Sequence, residues 1–283
     1  MLENTRWWEW EIKTETSWFG VSMRELYAYK DLLFRLVRKD FLSSYQQTLL
    51  GPFWLMFQPL VTVIIYVLVF HAVIGVSTEG IPAFLYYLIG ITLWNLFSNI
   101  LLNTSYAFVQ SAHIFEKVYF PRLISPFSIL ILNLLRFGIQ FLLLLLAAGY
   151  FYIFKKVDFN PGYLLFTVPV IIITSCLGFG AGLIFSIITV KYKDLLNLLD
   201  LFTRLLMFIC PIFYSLAIVP KNVKWLVYLN PLSSQFEMFR YAFLGKGTFH
   251  YVDILYSIGF MICLLFAGIA IFNKWSDKLI DVV

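Results

Sequence analysis

The sequence predicts an all-α integral membrane protein, and three observations carry that prediction. Of 283 residues, 61% are hydrophobic and only 13% charged, about half the ~25% charge of a surface that faces water. The apolar residues gather into six runs of bilayer-crossing length, each near the ~20 residues that a spanning helix needs. Lysine and arginine collect at one set of loops between those runs, the asymmetry that orients a protein in a membrane.

The first 40 residues read as a cytoplasmic segment. Residues 1–20 mix Glu3, Glu9 and Glu11 with tryptophans, leaving no continuous apolar core for a cleavable signal peptide. The alternation of Trp8, Trp10 and Ile12 with charged neighbours is strand-like or simply interfacial, and both readings stay open. Over 22–39 the pattern becomes a basic amphipathic helix. Ser22 and Glu25 form a capping-box pair, Leu26, Tyr29, Leu33 and Leu36 share one face, and Arg24, Lys30, Arg35, Arg38 and Lys39 populate the rest. Such a helix lies on the inner leaflet with its cations at the lipid phosphates.

The membrane domain, 41–275, has spans predicted at about 53–75, 83–109, 124–153, 163–190, 197–219 and 252–273, followed by a cytoplasmic tail at 276–283. The fifth is the least regular, since it opens with Asp200 and Arg204. Between the fifth and sixth, residues 220–251 are too polar to cross yet rich in aromatics such as Trp225, Tyr228, Phe236 and Phe239. Pro220, Pro231 and Gly245 cut them into short pieces, which predicts re-entrant helices. With both termini cytoplasmic, thirteen Lys and Arg lie inside and six outside.

Enzyme signatures are missing. Gly245-Lys246 has Arg240 where a phosphate-binding loop begins with glycine and Gly247 where it needs Ser or Thr. Cys176, Cys210 and Cys263 are scattered, as are His71, His113 and His250, so no metal site, cofactor site or disulfide set is predicted. The remaining chemistry is polarity on helix faces. Gln58, Thr62, Tyr66 and Phe70 recur every four residues, as do Asn95, Asn99 and Asn103 beside Trp94, while Asn133, Arg136 and Gln140 share a face of the third span. An arginine at mid-span costs about 2.5–3.5 kcal/mol on insertion scales, so Arg136 is expected to meet water, substrate or a partner. These stripes predict the wall of a polar conduit; hydrogen bonding between helices is the other use of the same residues. Gly178, Gly180 and Gly182 predict close helix packing. Six spans with no energy-coupling site suggest half of an assembly, and a dimer would enclose a central pathway.

Four blocks in order carry a family resemblance. They are Tyr45 through Trp54 with Pro59-Leu60; Gly90-Ile91-Thr92-Leu93-Trp94; Phe115-Glu116-Lys117-Val118-Tyr119-Phe120-Pro121-Arg122; and Cys210-Pro211-Ile212-Phe213-Tyr214 with Asn230-Pro231 and Arg240. Together, over about residues 30–275, they resemble type-2 ABC transporter permeases, most closely the polysaccharide-export branch. Gln46, where the family usually has a basic residue, and Lys193-Asp194, where it favours Arg-Asp, depart from the pattern and bear on the substrate more than on the family. The resemblance implies a non-enzymatic homodimer in the bacterial inner membrane, in contact with membrane lipids and not nucleic acid. It further implies two copies of a separate ATP-binding subunit, docked on a coupling helix over 111–122 that presents His113, Glu116, Lys117, Tyr119 and Arg122. The cargo it implies is a lipid-linked polysaccharide such as O-antigen, capsule or teichoic acid. Independently of the resemblance, the short aromatic pieces of 220–251 predict a dip into the outer leaflet with Tyr228, Phe236 and Phe239 as an outer gate. Other readings are export of a small amphipathic drug or lipid, a membrane transferase acting on a polyprenyl-linked sugar, and a scaffold that recruits a soluble ATPase.

Overall fold

Backbone in hydrocarbon must satisfy its own hydrogen bonds, which leaves helices and closed barrels. The computed structural model describes residues 27–115, 120–155, 161–216, 218–245 and 250–276, and among these the ordered elements are all helical. Helix α1 is Lys30–Tyr45, α2 is Trp54–Tyr66, α3 is Ala83–Phe115 and α4 is Ile124–Lys155. Then follow α5 (Thr167–Lys191), α6 (Leu195–Ile209), α7 (Lys221–Leu229), α8 (Pro231–Leu244) and α9 (Tyr251–Ser276).

The predicted amphipathic helix corresponds to α1, six residues longer at its C-terminal end; its predicted start at 22–26 lies outside the described residues. The hydroxyls of Ser43 and Ser44 bond back to the Asp40 carbonyl and carry the helix to Tyr45, after which Gln47 at φ 62° turns the chain. A 3₁₀ turn, Gly51–Phe53, leads into α2, and a π-turn, Val67–Val73, extends it.

Among the described residues, five segments are long and apolar enough to cross a membrane: Gly51–Val73, Ala83–Gln110, Ile124–Phe154, Gly162–Lys191 and Tyr251–Ser276. The segment predicted as a single fifth span does not form one helix. Its helix, α6, has 15 residues, or ~22 Å of rise against ~30 Å of hydrocarbon. Pro211 sets this limit. It has no N–H to give the helix, and it pushes the preceding residue out of helical geometry; Cys210 accordingly sits at φ −71°, ψ 143°.

Helix α3 is the centre of the bundle, flanked by α4 and α5, with α9 on the far side of α5. Glycine permits this closeness: a Cβ on Gly182 would stand 2.6 Å from Thr104, and one on Gly268 would stand 2.5 Å from the Gly180 carbonyl oxygen. In the outermost crossing segments, Gly51–Val73 and Tyr251–Ser276, only 11% of the 18-residue apolar stretch is buried by the rest of the chain. Their apolar surface is left to lipid or to another protein.

Candidate functional site

Helices α3 and α4 run antiparallel, and their amide side chains meet in rungs. Asn95 Nδ2 donates to Gln140 Oε1 at 3.4 Å, and two turns further along α3 Asn103 Nδ2 donates to Asn133 Oδ1 at 2.9 Å. Asn133 in turn bonds the Ile129 carbonyl of its own helix. Between the rungs Asn99 is exposed. The two polar stripes of the second and third spans therefore do come together, in a neutral, amide-lined seam.

The stripe on α2 divides. Gln58 is exposed, and the Thr62 hydroxyl is satisfied by the Gln58 carbonyl at 2.9 Å. Further along, Tyr66 and Phe70 pack on Phe213, with ring centroids 4.9 and 4.4 Å apart. These rings anchor the 210–216 loop to the first crossing segment. Trp94, predicted on the path, is instead buried in the core beside Phe97; on α3 its face points into the bundle, one residue away from the amide seam.

Arg136 leaves the seam sideways. Its Nη2 donates to Ser44 Oγ of α1 at 2.9 Å, so α1 and α4 together close a cleft of about 360 Å³. Lys39, Asp40, Ser44, Asn103, Ser128 and Arg136 contribute its polar wall. Burial raises the Asp40 carboxyl above its ordinary 3.8, opposed in part by the positive charges of Lys39 and Arg136.

At the opposite end of α3, the break after α6 is held by α8. Asn230 caps α8 by accepting from the Leu232 N–H at 3.0 Å, Pro231 occupies its first turn, and Gly245 at φ 62° ends it. The Asn230 amide also reaches Cys210 Sγ at 3.2 Å. Arg240 pairs with Glu237 at 2.8 Å and donates to the Pro211 carbonyl, all inside the protein. The predicted gate residues separate here: Phe236 and Phe239 are 1% and 0% exposed and are core residues, whereas Tyr228 is half-buried with Lys224 Nζ 5.7 Å from its ring centre. The Glu237–Arg240 pair was not singled out by sequence reasoning, although two charges three residues apart among Phe, Met and Tyr were the available signal.

Of the predicted coupling residues, Glu116, Lys117 and Tyr119 and the side chain of His113 lie outside the described residues, and Arg122 is half-buried in the turn before α4. Among the described residues no three His, Cys, Asp or Glu side chains come together as a metal site, and the cysteines are free.

Residues 31–244 match the model of the ABC-2 type transporter family. The chain is 29% identical over 257 residues to an O-antigen export system permease protein RfbA of Klebsiella pneumoniae, covering 89% of this chain and 95% of the relative. The RfbA of Myxococcus xanthus, described by the same words, is 25% identical over 260 residues, 90% of this chain and 96% of the relative.

Proposed function

Because the chain belongs to the ABC-2 type transporter family, we propose that it is the permease subunit of an ATP-driven exporter carrying a lipid-linked polysaccharide outward across the bacterial inner membrane. The cargo rests on one observation, the likeness to O-antigen export permeases along 89% of the chain. The amide seam of Asn95, Asn99 and Gln140 suits such a cargo. Neutral donors and acceptors can exchange with sugar hydroxyls as a chain slides, whereas a tight charged site would hold it.

In this reading the protein crosses six times with both ends cytoplasmic. The fifth crossing is α6 together with the turns that follow Cys210. Helices α7 and α8 dip into the outer leaflet and return. A second copy covers part of the exposed Gly51–Val73 and Tyr251–Ser276 surface, lipid covers the rest, and two separate ATP-binding subunits dock on the turn at 111–122. ATP is hydrolysed by those subunits and not by this chain.

The test is complementation. In a strain lacking its own O-antigen export permease, the chain co-expressed with a cognate ATP-binding subunit should restore polysaccharide at the cell surface. A glycan that stays inside cells, although both proteins reach the membrane, would overturn the reading. Hydrolysis of ATP by the chain purified free of its partner would overturn the division of labour.

A further inference from the structure

The cleft between α1 and α4 has more cationic and hydroxyl lining than the packing of two helices requires. Helix α4 has 32 residues, or ~48 Å of rise, so its ends project beyond ~30 Å of hydrocarbon. Arg136 stands twelve residues from the first residue of α4, ~18 Å along it, and so lies within the hydrocarbon by several ångströms. Its guanidinium does not turn to lipid. It points to the Ser44 hydroxyl, and its Nε–H, buried from solvent, meets no acceptor among the described residues. The floor of the cleft is Asn103, Asn133 and Ser128, and its rim carries Lys39. Along the same helix α1 exposes Phe34 and Leu42, 62% and 47% accessible, an apolar flank where lipid tails can lie.

We infer that this cleft is a binding site for a lipid-borne phosphate, drawn from the leaflet along α1 and held by Arg136 and Lys39 with the Ser44 and Asn103 side chains. A guanidinium with an unused N–H is suited to a phosphate oxygen, because its donors sit in a fixed fork. Basic pockets between transmembrane helices bind anionic lipid headgroups. Asp40 keeps the site selective: it stands beside the two cations, so the net charge is only slightly positive and a loosely bound anion gains little without the hydroxyl and amide donors. The volume, about 360 Å³, admits a phosphate with the glycerol or first sugar attached to it. The phosphate has two possible sources, a bulk phospholipid or the polyprenyl carrier of the cargo. The leaflet assigned to the cleft rests on the orientation proposed above; the binding itself does not.

Full-length protein in detergent, titrated with each of three lipids and examined by native mass spectrometry, tests this. Phosphatidylglycerol and polyprenyl phosphate supply the group, and diacylglycerol supplies tails without it. One phosphate-bearing lipid should be retained per chain, and diacylglycerol should not. Arg136→Gln should weaken retention about tenfold or more, the scale of a lost charge-assisted hydrogen bond. Ser44→Phe, at an exposed position on α1, should do the same by filling the cleft with every cation left in place. Arg204→Gln, on α6, should change nothing. Competition between the two phosphate lipids identifies the source: displacement of phosphatidylglycerol by the polyprenyl phosphate assigns the site to the carrier, and the reverse assigns it to the bulk leaflet. Equal retention of diacylglycerol overturns the inference, as does parental binding by both Arg136→Gln and Ser44→Phe. These readouts need no ATPase and no export. A protein that binds lipid but fails complementation refutes only the transport reading, and one that exports without retaining lipid refutes only this site.

Discussion

The guanidinium of Arg240 lies 4.2 Å from the centre of the Tyr86 ring, joining α8 to the first turn of α3 through a cation–π contact inside the protein. The same side chain pairs with Glu237 and bonds the carbonyls of Pro211 and Ile212, which have no helical partners after the break. One cation thus serves an acid, a ring and two carbonyls.

Removing that cation leaves a buried carboxylate and two carbonyls without it. Arg240→Ala is expected to cost about 3–5 kcal/mol, the scale for breaking a buried pair from one side. The double change Glu237→Met with Arg240→Met should recover part of this, because no lone charge remains, but not all, because the carbonyls still lack a donor. Thermal unfolding in detergent checks it; an Arg240→Ala protein as stable as the parent would show that the clasp is dispensable.

Glycine in α9 has opposite consequences at two positions. At Gly268 a Cβ would meet the Gly180 carbonyl oxygen at 2.5 Å, whereas at Gly259 nothing lies within 4 Å. Gly268→Ala should therefore push α9 off α5 and destabilise by about 1–3 kcal/mol. Gly259→Ala should stabilise by up to about 1 kcal/mol through helix propensity. Melting curves of the two variants should move in opposite directions; a shared direction would mean that the α5–α9 contact is looser than the structure has it.

Burial in the cleft raises the Asp40 carboxyl above 3.8 in spite of Lys39 and Arg136, so the folded protein favours its protonated form. For a raised acid, the stabilising contribution is full below the unfolded value and is lost as pH rises through the folded value. Asp40→Asn should hold the neutral form at every pH. Its advantage over the parent should be absent in strong acid and grow as pH rises past 3.8 toward neutrality. Paired melts across that range decide this; a variant whose advantage does not change with pH would refute it.

The spans were legible where the apolar run continues uninterrupted. Predicted 83–109, 124–153 and 252–273 became Ala83–Phe115, Ile124–Lys155 and Tyr251–Ser276, because in lipid length and hydropathy leave the backbone little choice. Facing was less legible. Trp94, Phe236 and Phe239 were expected at a path or gate and lie in the core. Lipid tails and a helix bundle are equally apolar, so an aromatic ring on a membrane helix does not reveal in sequence which of them it faces. Amides are more informative, since burial demands a partner: Asn95 found Gln140 and Asn103 found Asn133. Arg136 was recognisable as exceptional, but its partner, Ser44, is 92 residues away and beyond residue 39, the predicted end of the amphipathic helix.

The segment after α6 decides both the topology and the gate. Helix α7 has 9 residues and α8 has 14, ~13 and ~21 Å of rise, so neither crosses ~30 Å of hydrocarbon alone. The bend between them is fixed by the Asn230 cap and Pro231, and α8 is buried along nearly its whole length against the bundle. If the pair dips in from outside and returns, Lys221 and Lys246 share one side of the membrane. Single cysteines at those positions should both react with an impermeant thiol reagent added to intact spheroplasts. Labelling of one only after the membrane is opened would mean that the segment crosses, and the six-span count would fall with the gate. For two of the aromatics predicted at an outer gate, burial separates the roles. Phe239→Ala, in the core, should cost about 3–5 kcal/mol and lower the amount of folded protein. Tyr228→Ala, half-buried and in contact only with Lys224 among the aromatic and cation–π pairs described, should leave the folded amount unchanged and shorten the exported polysaccharide. Normal chain length in a well-expressed Tyr228→Ala permease would remove Tyr228 from the exit.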